Sequence, residues 1–201
     1  SPGMSACRLK ELSGTAIEPW LDQISRLRID LFRDFPYLYD GDFLYERNYL
    51  SRYLEAKDAL ILLVLDGLDR VMGVSTCLPM IQEEFVFQEP FLTSSMELSD
   101  VCYFGESLLE PHLRGKGLGH LFFDRREAHA QKIGCRITAF CAVEREQEHS
   151  MRPMKYQPLD GFWCKRGYTK REDLKIEFPW KEVGAQEETK QTMTYWLRDW
   201  G

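Results

Sequence analysis

A glycine-rich turn of six residues decides the fold: Arg114-Gly115-Lys116-Gly117-Leu118-Gly119. A strand is predicted before it, over Val101–Leu109, and a helix after it, over Leu118–Ile133, with Ala128 facing inward and Arg126 outward. Glycines let backbone N–H groups converge without obstruction by side chains, and a helix start adds unsatisfied N–H donors and partial positive charge. The turn is therefore predicted to hold an anion such as a pyrophosphate.

Other readings of this turn remain open. A Walker A loop requires Ser or Thr after its lysine, whereas Gly117 follows Lys116. A dinucleotide-binding turn requires G-x-G-x-x-G directly after its strand and an acid about 20 residues further on. The spacing here is G-x-G-x-G, and Glu144 lies 25 residues past Gly119. A nucleotide-dependent enzyme is thus one alternative, and a tight turn that binds nothing is the other.

The rest of the chain predicts a mixed α/β fold. Because a crossover helix joins them, the strands before and after the long helix should be parallel. A strand hairpin with a bulge at Gly73 precedes them. The predicted elements are helices over Pro19–Phe32, Leu44–Ala56 and Leu159–Arg166, strands over Ala59–Leu65, Arg70–Leu78, Arg136–Val143, Leu174–Phe178 and Thr192–Leu197, and a short strand or loop within Pro79–Ser99.

Length and composition bound the function. The 201 residues suit one domain, expected over residues 4–201, because Ser1-Pro2-Gly3 ahead of Met4 reads as a cloning remnant. A net charge of −6 lacks the basic excess of nucleic-acid binders. No apolar run approaches the roughly 20 residues that span a bilayer, and no signal peptide is visible, so a cytoplasmic protein without a membrane partner is expected. Cysteine and histidine spacings match no metal motif, and no metal is assigned.

The glycine turn and its surroundings resemble the corresponding segment of the GNAT superfamily of acetyl-CoA-dependent N-acetyltransferases. The family pattern Q/R-x-x-G-x-G/A is met by Arg114, Gly117 and Gly119. A second run, Phe162–Tyr168, is similar to the segment that ends the family's last helix, and the element order fits from about residue 15 to 198. The resemblance implies a largely antiparallel twisted sheet with one splayed parallel strand pair, flanked by helices.

The resemblance also implies the co-substrate, acetyl-CoA, and how it is held. Backbone N–H groups across the glycine turn, with Arg114, Lys116 and Leu118 as its other members, would bind the coenzyme A pyrophosphate. Backbone groups of Leu108 and Leu109 would pair with the pantetheine arm as an extra strand. A primary amine, of a small molecule or of a protein, would attack the thioester directly. A protein that binds acyl-CoA as a sensor, without catalysis, is the alternative.

An attacking ammonium must first lose a proton, and several residues are candidates for this acid–base chemistry. Glu106 is the first choice as base, on a strand face shared with Phe104 and Leu108; its alternative is an exposed or salt-bridged carboxylate. Glu83 and Glu84 are second choices as base or acceptor-site residues, or are solvated loop acids. Trp163 occupies the position where many family members have an acidic tyrosine, and Val143-Glu144-Arg145 replaces a typical asparagine. Tyr156 is the substitute acid that we expect, with Tyr168, Cys164 or water as other donors and packing as the alternative role of Tyr156.

The acceptor site should be bordered by residues Phe35–Asp42, the second helix and the polar stretch Glu144–Pro158. Tyr37, Tyr39 and Asp40 are predicted to hold a cationic amine by aromatic faces and a carboxylate. The aromatic C-terminal strand, with Tyr195, Trp196 and Trp200, either lies in the core or pairs across a homodimer.

Overall fold

The computed structural model describes residues 7–201, so the expected remnant Ser1-Pro2-Gly3 lies outside the described residues. Strands and α-helices alternate along most of the chain. The strands are β1 (Arg8–Leu12), β2 (Leu60–Leu65), β3 (Val71–Pro79), β4 (Val101–Leu109), β5 (Ile137–Val143), β6 (Thr169–Lys181) and β7 (Glu188–Asp199). The helices are α1 (Leu21–Phe32), α2 (Phe43–Glu55), α3 (Phe85–Leu92), α4 (Leu118–Lys132) and α5 (Asp160–Lys165), and short 3₁₀ helices span Gly14–Trp20, Met80–Gln82, Leu98–Asp100 and Pro111–Leu113.

The strands form one sheet in the order β1-β2-β3-β4-β5-β7-β6. Every neighbouring pair is antiparallel except β4 and β5, which are parallel and joined by the crossover helix α4. The predicted mixed sheet with one parallel pair is therefore confirmed. Strand β7 is paired on both edges, so its aromatic residues do not pair across a dimer: Tyr195 and Trp196 are buried in the core.

Each face of the sheet carries an apolar core. On one face, α1, α2 and α3 contribute Ile24, Leu50, Tyr53 and Phe91, all fully buried. On the other face, α4 contributes Phe122, Phe123 and Ala130. Apolar surface removed from water on both faces is the main stabilising contribution for such a layered domain. Within residues 7–201, no helix combines the length and apolar character needed to cross a membrane.

Three local predictions differ from the structure. The segment Phe85–Leu92 is a helix, not a strand or loop, and its Phe87 and Phe91 pack against Tyr103 and Tyr195. Strands β6 and β7 are longer than predicted. Their outer parts carry exposed Lys, Glu and Thr side chains, so no apolar run marks them in the sequence. In α4, Arg126 is buried although an outward position was predicted, and Ala128 is exposed although an inward one was predicted.

A bulge lies beside Gly73, as predicted. Val64 pairs with Gly73 and Leu65 with Val71, which leaves Met72 as the extra residue. A Cβ on Gly73 would lie 2.7 Å from Leu109 Cδ2, so a side chain there would displace the end of β4. This bulge therefore sits next to the part of β4 that leads into the glycine turn.

Candidate functional site

The glycine turn presents free backbone donors at the start of α4. Gly115 and Gly117 have φ of +74° and +88°, which L side chains rarely adopt, and a Cβ at either position would meet no atom within 4 Å. The first backbone bond of α4 runs from the Leu121 N–H to the Gly117 carbonyl, at 3.1 Å. Within the described residues, the N–H groups of residues 115–120 have no partner. Converging free donors at a helix N-terminus are the geometry that binds an anion.

The two cations of the turn have different settings. Arg114 donates from Nε to the Leu109 carbonyl at 3.1 Å, which ties the turn to the end of β4. Its remaining guanidinium nitrogens lie at an exposed position. Lys116 is exposed and forms no ion pair within the described chain. Both charges are thus available beside the free N–H groups.

A gap opens between β4 and β5, directly before the turn. The two strands pair only from Val101–Tyr103 to Ile137–Ala139. Beyond that point β4 continues to Leu109 and β5 to Val143 without facing a partner, although β3 and β7 cover their outer edges. An extended group with its own amides can hydrogen-bond to such an unpaired strand edge. Leu108 and Leu109, the predicted pantetheine partners, are half-buried along this gap.

A bulge in β4 sets the direction of Glu106. Ser75 pairs with Ser107 and Cys77 with Phe104, so Thr76 faces both Gly105 and Glu106. The predicted common face of Glu106 and Phe104 is therefore wrong. Phe104 packs against Phe123 of α4, whereas Glu106 points toward α1 on the face that it shares with Leu108. A Cβ on Gly105 would lie 2.2 Å from Thr76 Oγ1, so the bulge requires glycine.

Glu106 belongs to a buried chain of charges. Its Oε1 lies 2.7 Å from Arg28 Nη1, and its Oε2 accepts a hydrogen bond from Thr76 Oγ1 at 3.0 Å. Arg28 also binds Glu46, which accepts a 2.7 Å hydrogen bond from the Tyr39 hydroxyl. Burial alone lowers the pKa of Arg28, but Glu106 and Glu46 together hold it well above its ordinary value. Tyr39, a predicted acceptor-site residue, is thus one end of this network.

A second buried carboxylate, Glu83, has a different environment. Its Oε1 lies 2.6 Å from Arg52 Nη1 and accepts the Glu84 N–H at 2.9 Å, whereas its Oε2 is buried without a partner. Burial raises the pKa of Glu83, and Arg52 offsets only part of that rise. Glu84 itself is half-exposed and lies 3.5 Å from Arg52. Glu83 and Glu84, which were predicted together, therefore differ in burial: Glu83 is shielded from water and Glu84 is not.

Tyr49 lies between the two carboxylates. The guanidinium groups of Arg28 and Arg52 lie 4.9 and 4.3 Å from its ring centre. The pKa of Tyr49 is raised by burial first and then by the charge of Glu83, with Glu106 adding to the rise. Arg28 pairs with Glu106 and Arg52 pairs with Glu83, so Tyr49 lies between the two ion pairs.

Other predicted acceptor residues lie around the open end of β5. Tyr37 is packed edge-on against Phe32 at 4.8 Å. Its pKa is raised by burial first, then by Cys141 and Tyr156, and a backbone hydrogen bond from Val143 opposes that rise. The Tyr37 hydroxyl therefore lies at the end of β5.

Tyr156 and Asp40 are closer to the surface. Tyr156 is half-buried, packs edge-on against Phe35 at 4.9 Å, and has its pKa raised mainly by burial. Asp40 pairs with Arg33 and Lys181, each at 3.3 Å. The roles proposed for Tyr37, Tyr156 and Asp40 stay predictions. Trp163 packs against Phe140 and Trp196 on the α4 face, on the opposite side of the sheet from Glu106.

Arg145, two residues past the end of β5, fixes the loop that carries Tyr37. Its Nε donates to the Pro36 carbonyl at 2.6 Å and its Nη2 to the Tyr37 carbonyl at 2.9 Å. It also hydrogen-bonds Gln191 and lies 2.8 Å from Glu182. The side chain is only 8% exposed, so these contacts are shielded from water.

Replacing Arg145 by alanine should loosen this loop. The Arg145→Ala variant leaves the Pro36 carbonyl without its donor, while the Tyr37 carbonyl keeps Trp180 Nε1 and Glu182 keeps Gln191 Nε2. We expect a loss of about 2–3 kcal/mol in unfolding free energy, measured by urea denaturation. Arg33→Ala is the matched control, because Arg33 forms one exposed ion pair to the same loop and should cost less than about 1 kcal/mol. Equal losses in the two variants would show that Arg145 does not hold the loop.

Arg126 supports the bulge from the other face of the sheet. Its Nη1 donates to the carbonyls of Thr76 and Glu106 at 3.3 and 3.4 Å, and its Nη2 to Ser107 Oγ at 2.8 Å. Its pKa is lowered by burial, the largest cause. Arg126 thus joins the strand that carries Glu106 to the helix that begins at the glycine turn.

Sequence reasoning missed most of these supporting charges. Arg28 gave the clearest signal, because it interrupts an otherwise apolar stripe on α1, and a charge on such a stripe is retained only when it is paired. Arg52, Arg126 and Arg145 gave no comparable signal, since arginines on helices and loops are usually solvated.

Comparisons with known proteins identify the fold. No protein-family model matches the sequence, and no curated protein matches it. Among solved structures, a chain from Acinetobacter baylyi, provisionally described as an acetyltransferase, is similar at a TM-score of 0.62 and 10% identity, over 97% of this chain and 93% of that chain. A Salmonella typhimurium protein with the same provisional description, solved with its cofactor acetyl-CoA, has a TM-score of 0.57 and 13% identity, over 98% and 95%.

A GNAT-family acetyltransferase from Streptococcus pneumoniae has a TM-score of 0.58 and 14% identity, over 97% of this chain and 99% of that chain. The three similarities cover nearly the whole of each chain. At such low identities they establish the fold alone, and that fold is the one implied by the sequence resemblance.

Proposed function

We propose that this protein is an N-acetyltransferase that moves an acetyl group from acetyl-CoA to a primary amine. The observation that carries the proposal is the gap between β4 and β5, which leads directly to the free N–H groups of the glycine turn. One end suits an extended amide-containing arm, and the other suits a pyrophosphate. Coenzyme A contains both groups in that order.

The chain's own residues divide the binding work. The N–H groups from Gly115 to Gly119, with Arg114 and Lys116 nearby, hold the pyrophosphate. The unpaired edge of β4 at Leu108 and Leu109 hydrogen-bonds the pantetheine arm. A backbone N–H of the same edge polarises the thioester carbonyl and stabilises the developing oxyanion, which is the largest contribution to catalysis in many acyl transfers.

The acid–base work falls to residues near the mouth of the gap. An alkyl ammonium has a pKa of about 10, so a buried carboxylate must take its proton before the amine attacks. Glu106 and Glu83 are buried carboxylates whose arginine partners, Arg28 and Arg52, both lie over the Tyr49 ring. Tyr156 is the proposed donor to the departing thiolate, and Tyr37, Tyr39, Asp40 and Glu84 are proposed to line the approach of the amine.

A sensor that binds acyl-CoA without catalysis is the second candidate. The observation that favours it is the pairing of Glu106 with Arg28 and Thr76, which occupies both of its carboxylate oxygens. A base must offer a free lone pair to the proton that it takes. The unpartnered oxygen of Glu83 favours the enzyme over the sensor.

The experiment that tests the proposal has two readouts. Calorimetric titration with coenzyme A measures binding, and release of free thiol from acetyl-CoA over a panel of primary alkyl- and arylalkylamines measures transfer. We expect binding in the micromolar range and amine-dependent thiol release. Tight binding with no turnover on any amine would establish the sensor, and NAD binding in place of coenzyme A would establish the nucleotide-dependent alternative.

A further inference from the structure

Glu106 and Glu83, whose arginine partners both lie over Tyr49, differ in the partners of their carboxylate oxygens. Glu106 offers one oxygen to Arg28 Nη1 at 2.7 Å and the other to the Thr76 hydroxyl at 3.0 Å. Its contact with Arg28 is an ion pair without a well-aligned hydrogen bond. Each oxygen of Glu106 therefore has a cation or a hydroxyl within 3.0 Å.

Glu83 has one oxygen, Oε2, without a hydrogen-bond partner among the described residues. Its single contact with Arg52 uses Oε1 and Nη1 and leaves Oε2 and Nη2 buried without partners. The residue is 6% exposed, so the free oxygen is also shielded from bulk water. A buried charged acceptor without a donor is costly, and such atoms in a native protein require an explanation. A cationic donor from a ligand would satisfy it.

Glu83 lies a few residues past the end of β3, whose Leu78 pairs with Tyr103 at the point where the gap begins. Tyr103 is the last residue of β4 that pairs with β5, and its hydroxyl lies 3.5 Å from Cys141 Sγ on β5. Burial, followed by weaker contributions that include the Glu83 charge, raises the pKa of Cys141 to about 12. The charged groups nearest Glu83 are Arg52 and Glu84. The titratable groups whose pKa the Glu83 charge raises are Tyr49, Tyr53, Tyr103, Cys141 and Tyr195.

We propose that Glu83, rather than Glu106, binds the ammonium group of the acceptor and takes its proton. This inference rests on the proposed acetyltransferase function. The acceptor is then a cationic primary amine that enters with its ammonium toward Glu83 Oε2 and its carbon chain along the tyrosine faces. Glu106 instead holds Arg28 in place beneath Tyr49.

The proton and electron balance of the step is complete. One ammonium proton moves to Glu83 Oε2, and the freed nitrogen lone pair forms the C–N bond at the thioester carbonyl. The C–S bond then breaks and its electron pair leaves with sulfur. Tyr156 donates its proton to the thiolate and takes the second nitrogen proton in return, so the products are the N-acetyl amide, the free thiol and one proton that Glu83 later returns to water.

The test compares matched carboxylate-to-amide variants with two acceptors. Glu83→Gln and Glu106→Gln are measured beside Glu89→Gln, whose carboxylate is exposed on α3 and outside the site. The acceptors are the best amine of the panel and its β,β-difluoro analogue, whose ammonium is more acidic and is already largely neutral at the assay pH. Coenzyme A binding and thermal unfolding are measured for each variant, and kcat/KM is measured across pH.

With the ordinary amine, Glu83→Gln should lose about 100-fold or more in kcat/KM, as expected for removal of a general base. Because burial raises the pKa of Glu83, the wild-type kcat/KM should rise with pH at values above the usual titration range of a glutamate. This pH-dependent rise should be absent in Glu83→Gln. With the fluorinated amine the loss should shrink to less than about 10-fold, since little deprotonation is needed. Glu106→Gln should keep the pH-dependent rise in kcat/KM.

Three outcomes would overturn the inference. One is loss of the pH-dependent rise in kcat/KM in Glu106→Gln and its retention in Glu83→Gln. Another is an equal loss with both amines in Glu83→Gln, which would indicate a structural role. The third is coenzyme A binding without turnover on any amine. A wild-type chain that does not bind coenzyme A at all would contradict the proposed function itself, and the inference with it.

Discussion

Replacing Gly117 by valine is expected to weaken coenzyme A binding about 100-fold, or about 2.7 kcal/mol. Gly117 caps α4 with φ of +88°, a conformation that is costly for a β-branched residue. The turn must therefore rearrange, and its N–H groups no longer converge. Hydrogen bonds from N–H groups to a charged oxygen contribute about 1.5–3 kcal/mol each, so loss of one or two accounts for the expected effect. Calorimetric titration measures it.

The matched control is Gly184→Val in the turn between β6 and β7. Gly184 has nearly the same φ, +86°, and its Cβ would also meet no atom within 4 Å. Both variants should lose similar stability, about 1–2 kcal/mol, but only Gly117→Val should lose affinity. Unchanged affinity in Gly117→Val would mean that the turn does not hold the cofactor.

Replacing Arg28 by methionine should produce the largest loss of stability, about 3–5 kcal/mol. Arg28 is the cation between Glu46 and Glu106, both at least 93% buried. Arg28→Met keeps much of the apolar stem but leaves two buried carboxylates without a counter-charge. Urea denaturation at pH 7 measures the loss, and Arg47→Met on α2, which breaks only an exposed pair with Asp22, should cost less than about 1 kcal/mol.

The loss should depend on pH in a definite direction. Without Arg28 the folded state disfavours the charged carboxylates, so the folded variant binds protons more readily than its unfolded chain does. Its deficit should therefore be largest at neutral pH and should shrink as the pH falls toward about 5. A deficit that is small at pH 7, or that grows on acidification, would contradict the assignment of Arg28 as the counter-charge.

The sequence was sufficient for the parts of the fold that local rules determine. Glycines at fixed offsets between a strand and a helix predicted the turn, and the crossover rule predicted the parallel pair of β4 and β5. Apolar periodicity located α1, α2 and the central strands. The helix Phe85–Leu92 was missed, because eight residues with Pro90 near the end carry too little periodicity to distinguish a helix from a strand.

The orientation of the site residues depended on tertiary contacts. The bulge at Gly105 and Glu106 turns the carboxylate away from Phe104, and its one mark in the sequence is Gly105, the same kind of signal that predicted the bulge at Gly73. Pairing is hidden: Glu83 and Glu84 are adjacent acids in the sequence, yet one is buried beside Arg52 and the other half-exposed. Strict alternation along a strand predicts faces only where the ladder is regular.

The central claim is that the gap between β4 and β5 and the glycine turn bind one coenzyme A molecule. The most direct measurement is a crystal structure of the protein with coenzyme A. We predict phosphate oxygens within hydrogen-bonding distance of the N–H groups of residues 115–119, with the pantetheine arm along Leu108 and Leu109 in the gap. A coenzyme A molecule bound elsewhere, with the gap closed or empty, would contradict the account.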